Sequence, residues 1–461
     1  MIGIWQDLRH TVRTLVRSPG FSAVILGILI LGIGINAAIF SIANAVLLKP
    51  LPYIQDPDQL VDVFTGVPEN PYSTVSYLDY LDYRNQTNVL SDVISDQITQ
   101  LNLSGGGPTE SISGEVVSGN YFSVLGVKSE LGRVLLPGDD QAPGTNPVAV
   151  IGYTLWQRDF GSDQNVIGRQ ITLNDHSFTV IGVTPQGFFG KDLGYLREIW
   201  IPLSMSEQVT PGVPWLSERG IKWLSVQGRL KPGMSINQAR ANMATVVSQL
   251  AQAYPTTNEG RIVSVAPLNK MGISPDGQKL FRGTVMLAMV IVGLILLIAC
   301  ANVGGLLLAR GAERRKEIAI RLAIGASRGR LVQQLLTESI VLALVGGGLG
   351  VLIARWSTTL LIAFDLPYIN SRTVDAGVDW RVLGFTLLIS ILSGVFFGLL
   401  PALQTTRPNL VSALKESLSA GRTDRLDLRK LLVIFQIAVS LVLLIVAGLF
   451  VKSLHLPKIR D

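Results

Sequence analysis

The sequence predicts a multi-span α-helical membrane protein with a large exterior α+β domain between spans 1 and 2. Three observations carry this. The 461 residues are 48% hydrophobic and only 16% charged, against about 25% charged in a soluble domain, and the excess sits in a few long apolar blocks. Residues 49–282, between the first two blocks, contain no span-length apolar run and alternate strand-like and helix-like pieces. The net charge is +6, with Lys and Arg clustered beside the blocks, which suits anionic lipid headgroups and not nucleic acid.

Residues 1–17 contain IWQDLRHTVRTLVR, with Ile4, Leu8, Val12 and Leu15 on one side and Arg9, Arg13 and Arg17 on another. This pattern predicts an interfacial amphipathic helix; a plain basic flank is the alternative. Residues 18–48 carry no formal charge and are too long for a cleaved signal peptide, so they read as an uncleaved first span. Residues 283–309, 331–354, 382–406 and 431–451 supply spans two to five, each near the ~20 residues a bilayer core requires. The third has the shortest uncharged stretch, residues 339–354. A helix from about Leu331 with Arg355 snorkelling to the interface still spans.

Basic residues set the orientation. Arg9, Arg13 and Arg17 place the N-terminus in the cytoplasm. Arg310, Arg314, Arg315, Lys316, Arg321, Arg328 and Arg330 place residues 310–330 there too, and Arg407, Lys415, Arg422, Arg425, Arg429 and Lys430 do the same for residues 407–430. The outer loop 355–381 is nearly balanced. The fifth span then exits, leaving an outer tail at 452–461.

Within the exterior domain, residues 60–66 (LVDVFTG) predict a strand and residues 75–84 a helix. Residues 147–161 predict a strand running into a helix. Residues 169–183 predict a hairpin around Asn174-Asp175. Residues 221–230 predict a strand followed by a Lys231-Pro232-Gly233 turn. Ser235 and Gln238 predict a capping box for a helix to about Ala253, and residues 261–268 a last strand. The domain is α+β, with room for two lobes.

Nothing in the chain predicts an enzyme. Asp139-Asp140 reads as a solvated turn and Asn174-Asp175-His176 as a hairpin turn without a nucleophile beside it. Phe188-Phe189-Gly190-Lys191-Asp192-Leu193-Gly194 has a Gly-Lys pair but no phosphate loop; no G-x-x-x-x-G-K-[ST] occurs. Cys300 is the single cysteine, and His10, His176 and His455 have no ligand spacing. No catalytic, cofactor or metal residue is expected. Trp156, Trp200, Trp215 and Trp223 read as core residues. In the spans, Asn36, Asn44 and Asn302 suit helix-bridging amides. Gly346, Gly347, Gly348 and Gly350, with Gly304-Gly305, suit close packing.

The segment ERRKEIAIRLAI, residues 313–324, predicts a helix of about 18 Å. Glu313 pairs with Lys316 and Glu317 with Arg321 at helical spacing. Ile318 and Leu322 form an apolar stripe that Ile320 and Ala323 widen. Gly325 fits a break and Ser327 an N-cap for the next helix. A force-bearing elbow and a positive-inside loop resting on lipid both fit this pattern.

Several stretches resemble one family. RTLVRSPGFSAVILGILILGIGINAAIFSIANAVLLKPLPY (residues 13–53), VVSGNYFSVLGVKSELGRVL (116–135), VAVIGYTLWQRDFGSDQNVIGRQITLNDHSFTVIGVTP (148–185) and RRKEIAIRLAIGASRGRLVQQLLTES (314–339) are similar to permeases of the macrolide-exporter (MacB-type) and FtsX-like class of ABC transporters. The resemblance is nearest to acidobacterial duplicated orphan permeases, of which the chain looks like the first unit plus a fifth span. It implies a bacterial inner-membrane protein with residues 49–282 as a periplasmic core domain. It implies ATP on a separate ABC ATPase subunit, a second permease unit by homodimerisation or internal duplication, and room for a periplasmic protein partner. It implies ATP-driven motion of the periplasmic domain, with Glu313, Glu317, Ile318, Arg321, Leu322, Gly325 and Ser327 as the coupling elbow. A regulatory module controlling an envelope enzyme and a membrane-anchored assembly protein are the alternatives. No substrate is legible.

Overall fold

The computed structural model describes residues 11, 13, 18–49, 53–104, 109–192, 195–268, 272–313, 315–324, 327–363, 377–405 and 428–455. The predicted N-terminal interfacial helix lies outside them, apart from Thr11 and Arg13. The chain divides into two compact units, one built from the apolar helices and one from residues 49–281. Helix α1 (Pro19–Ala43) has proline in its first turn, where the missing N–H costs nothing. It continues as a π turn over Asn44–Leu48.

The second unit is α+β. In chain order it comprises β1 (Leu60–Gly66), α2 (Tyr77–Gln86), β2 (Leu90–Ser104), β3 (Glu110–Val117), α3 (Tyr121–Leu125), β4 (Leu131–Gly132), β5 (Val148–Ile151) and α4 (Tyr153–Phe160). Then come β6 (Gln170–Leu173), β7 (His176–Val183), β8 (Ile199–Pro202), β9 (Ser225–Leu230), α5 (Ile236–Ala253) and β10 (Ile262–Pro267). All ten strands join one sheet in the order β10-β1-β9-β2-β3-β8-β5-β7-β4, with β6 bridging β2 and β7. The room left for two lobes is therefore filled by one continuous sheet. The 15-residue β2 pairs β9 with its first half and β6 with its last residues. The circuit β2-β3-β8-β5-β7-β6 closes on itself.

Local sequence explains the turns. Asn174 and Asp175 take φ of 44° and 69°, the left-handed pair that a two-residue hairpin requires. Gly233 has φ 81° as the third residue of a turn closed by Met234 N–H to Lys231 O at 3.0 Å. The Ser235 hydroxyl accepts from Gln238 N–H at 3.3 Å and the Gln238 side chain accepts from Ser235 N–H at 2.8 Å. From that box α5 runs with Ala239, Met243, Val246, Val247 and Leu250 buried, a helical stripe that packs on β10.

Asp139-Asp140 is not a solvated turn. Asp140 accepts from Gly119 N–H at 3.1 Å and Ser204 N–H at 2.8 Å, because two main-chain donors there need an acceptor. Burial pushes its carboxyl above the ordinary range despite those bonds. Asp139 pairs with Arg133. Of the tryptophans, Trp200 and Trp223 are buried and Trp156 and Trp215 pack against the core.

The remaining helices are α6 (Pro275–Glu313), α7 (Arg315–Ala323), α8 (Arg328–Ala363), α9 (Trp380–Thr405) and α10 (Leu428–His455). Among the described residues, four stretches are long and apolar enough to cross a membrane: Pro19–Leu48, Pro275–Gly311, Arg328–Ser357 and Trp380–Leu403. Within α10, Val433–Leu449 is a shorter apolar stretch among the described residues. Ile25, Leu29 and Ile33 of α1 form the helical core with Cys300 and Val303 of α6, Leu342 and Ala343 of α8 and Phe397 of α9.

Glycine permits the closest approaches. A Cβ on Gly34 would lie 3.1 Å from Gly350 O, and one on Gly346 would lie 2.8 Å from Leu29 Cβ. Small residues at helix seams let backbones touch in this way. The Asn36 amide donates to Gly32 O and to Val292 O, both at 2.8 Å, stitching α1 to α6. The Asn44 amide donates to Asp379 Oδ2 at 2.8 Å, and Asp379 Oδ1 caps α9 by accepting from Arg381 and Val382 N–H at 3.0 Å. Asn302 is exposed and so does not bridge helices within the described chain.

Candidate functional site

The elbow is built on α7, whose nine residues are too few to hold a helix alone. Ile318 anchors it, 6% exposed. Its side chain lines a cavity of about 40 Å³ with Leu307 and Gly311 of α6, Leu335 and Ser339 of α8, and Gly398 and Pro401 of α9. Gly398 is required there, since a Cβ would come within 2.5 Å of Ser339 Cβ. The Arg310 guanidinium donates to Ser18 Oγ at 2.5 Å and stacks over Phe21 at 4.5 Å, joining the same end of α6 to the start of α1. One isoleucine thus touches the place where span ends converge.

The other face of α7 is open. Ile320 is 59% exposed and Ile324 is 81% exposed. The expected stripe therefore divides: Ile318 points inward, Ile320 and Ala323 outward, and Arg321 and Leu322 are half-buried. Ser327 is exposed and its Oγ accepts from Arg330 N–H at 3.3 Å, in the first turn of α8. The pairs Glu313–Lys316 and Glu317–Arg321, and Gly325, fall outside the described residues and side chains. An apolar contact on each side of a short helix can transmit a push; the polar side chains that line this cavity among the described residues are Arg310, Ser339 and Glu338, the last 7% exposed.

Sequence reasoning missed a second constellation, in the α+β unit. Asp96 of β2, Glu115 of β3, and Lys191, Asp192 and Arg197 of the loop before β8 are all buried. Arg197 Nε donates to Glu115 Oε1 at 3.1 Å and Nη2 to Asp192 Oδ2 at 2.7 Å. Lys191 Nζ lies 3.0 Å from Asp192 Oδ2 and 3.4 Å from Asp96 Oδ2. Tyr121 OH and Trp200 Nε1 both donate to Glu115 Oε2, at 3.1 and 2.7 Å. Asp96 Oδ1 has no partner among the described residues.

Burial drives Asp96 well above the ordinary carboxylate range, with Glu115 and Asp192 adding to the rise against Lys191 and Arg197. Burial alone would lower Lys191, but Asp192, Asp96 and Glu115 raise it. The carboxylate oxygens of Asp96, Glu115 and Asp192 lie within 4.8 Å of one another. Lys191 and Arg197 supply two positive charges against three negative ones in that space. The only local signal was the Gly-Lys-Asp run at 190–192, which reads as a loop when no phosphate motif surrounds it.

Residues 22–246 match the family described as MacB-like periplasmic core domain, and residues 289–410 match the FtsX-like permease C-terminal family. The chain belongs to the MacB/FtsX-like ABC transporter permease family. Its exterior unit is thus a MacB-like periplasmic domain between two membrane-spanning helices. The macrolide export ATP-binding/permease protein MacB of Escherichia coli K12 is 29% identical over 301 residues, covering 65% of this chain. The MacB of Shigella flexneri matches to the same extent. In both cases the match spans 42% of the relative's length.

Among solved structures, the periplasmic region of MacB from Actinobacillus actinomycetemcomitans covers 51% of this permease and 97% of that chain, at 17% identity and a TM-score of 0.36. A domain of a permease protein from Porphyromonas gingivalis covers 49% of it and 98% of that chain, at 15% identity and a TM-score of 0.36.

Proposed function

We propose that this permease passes force from a separate ABC ATPase to its periplasmic domain, as one subunit of an export or mechanotransmission system. The observation that carries this is the two-sided α7: Ile318 buried against α6, α8 and α9, with Ile320 and Ile324 exposed. Exposed isoleucines on a short charged helix suit an apolar cleft on a soluble partner. Helix α6 supports the reading as a lever, because it runs unbroken from Pro275 to Glu313, about 58 Å at 1.5 Å per residue.

In this reading the N-terminus and α7 are cytoplasmic, by the positive-inside pattern, residues 49–282 are periplasmic, and the membrane is the bacterial inner membrane. Helix α10 is a fifth span. ATP is bound by the partner, and this chain performs no catalysis. A second permease unit completes the membrane part, either a second copy or the other half of a duplicated permease of the acidobacterial orphan type.

The test is reconstitution in nanodiscs with the ABC ATPase that co-purifies from the native membrane. Ile320→Asp with Ile324→Asp should abolish ATPase binding, while the thermal midpoint of the permease stays put. Retained binding by that double variant would overturn α7 as the contact.

A further inference from the structure

Strand β2 has a gap on one edge. It pairs β9 as far as Asp96, opposite Ser225, and meets β6 only from Leu103, opposite Leu173. Its other edge is fully paired to β3 from Asp96 to Leu103. Ser118 N–H bonds Ser95 O on the β3 side, while Asn174 N–H bonds Asn102 O on the opposite side. Odd-numbered residues of β2 therefore turn their backbone groups to β3, and even-numbered ones turn theirs to the gap. In the gap itself stand the backbone groups of Ile98 and Gln100, which no strand meets among the described residues; Ile98 O accepts only from the Gln97 amide, at 3.2 Å.

A cavity of about 220 Å³ opens at this gap. It is lined by Gln97, Ile98 and Thr99 of β2, by Ser206 and Thr210, and by Trp215 and Trp223. Ser206 is 3% exposed, and its hydroxyl has no partner among the described residues. The two indoles pack with centroids 5.0 Å apart. Their N–H groups are already spent on Thr210 O and Trp215 O, at 3.1 and 3.2 Å. They offer the cavity apolar surface, and no charged side chain lines it.

We propose that this gap is a peptide site: an extended, uncharged segment adds as a short strand along Ile98–Gln100 and lays one apolar side chain against the packed pair Trp215 and Trp223. Main-chain donors and acceptors that no strand pairs, at strand spacing, fit another main chain, which would displace the Gln97 amide from Ile98 O, and a pocket beside them selects the side chain. The absence of lining charge selects against acidic or basic segments. The Ser206 hydroxyl supplies a further bond at the pocket wall. This site lies wholly in the periplasmic domain and does not depend on the ATPase reading.

The experiment uses the full chain in lipid nanodiscs. The probe is a pooled library of acetylated, amidated tetrapeptides of Val, Thr, Leu and Phe, titrated against tryptophan fluorescence. The expected result is a saturable change. The same pool N-methylated at alternate amides should bind about tenfold or more weakly, since each lost ladder bond removes part of the ~1.4 kcal/mol that a factor of ten represents. Gln100→Pro should weaken the plain pool similarly, because the N–H it removes faces the gap and not β3. Ser206→Ala should weaken it less. No saturable change with the plain pool, or equal binding by the N-methylated pool, overturns the proposal whatever the variants do.

Discussion

In the periplasmic domain, Asp96, Glu115, Lys191, Asp192 and Arg197 sit together at 5% exposure or less. Between the spans the buried polar groups are instead amides and hydroxyls such as Asn36, Thr386 and Ser390, and their bonds go to main-chain carbonyls. Glu338, at the elbow end, is a buried carboxylate in the helical unit. The difference is one of tolerance to movement. Separating buried charges leaves each uncompensated in a low dielectric, so the sheet and loop around them are held as one body. Glycine seams and amide-to-carbonyl bonds can be remade after a helix shifts. That contrast, one unit tied by buried charge and the other by bonds that can be remade, suits the force transmission proposed above.

The largest test of that contrast is Arg197→Met. It strands Glu115 and Asp192 and should cost the periplasmic domain about 3–5 kcal/mol, read as a thermal midpoint lower by roughly 10 °C. A drop of under ~1 kcal/mol would mean that the cluster is no tie at all. Gly350→Leu forces α1 and α8 apart and should cost about 1–3 kcal/mol, measured by unfolding in nanodiscs. If it costs more than Arg197→Met, the rigidity assigned to the two units is reversed. Asn36→Leu should cost about 0.6 kcal/mol, in line with measured interhelical bonds in membranes.

The smallest effect is a slope. The Asp96 carboxyl is raised in the folded domain. Its contribution is therefore fully present below the unfolded value, about 3.9, and is lost as pH rises through the folded value. The stability difference between wild type and Asp96→Asn should fall from pH 5 to pH 8. A difference that stays flat over that range would show Asp96 to be held ionised, since a carboxylate with a lowered folded value changes stability only below about pH 4.

The first four apolar helices were legible because apolar runs of ~20 residues leave few alternatives. So were the Asn174-Asp175 hairpin and the Ser235 capping box, where two or three adjacent residues decide the backbone. The ion cluster was not legible. Its members come from the neighbouring strands β2 and β3 and from a loop whose first member, Lys191, stands 76 residues beyond Glu115, and only the sheet order brings that loop to them. The elbow was half legible. Its residues and its start of α8 at Arg328 followed from Ser327, but periodicity placed Ile318 and Ile320 together. In the structure Ile318 lines the cavity at the α6, α8 and α9 ends while Ile320 is exposed, because residues two apart on a helix of 3.6 residues per turn face opposite sides.

The central claim is that α7 carries force inward through Ile318. Spin-label pairs on the periplasmic domain, compared with and without ATP and vanadate in the nanodisc complex, test it directly. Wild type should show a nucleotide-dependent distance change. Ile318→Ala should keep ATPase binding and hydrolysis but lose most of that change. A distance change of wild-type amplitude in Ile318→Ala would contradict the account.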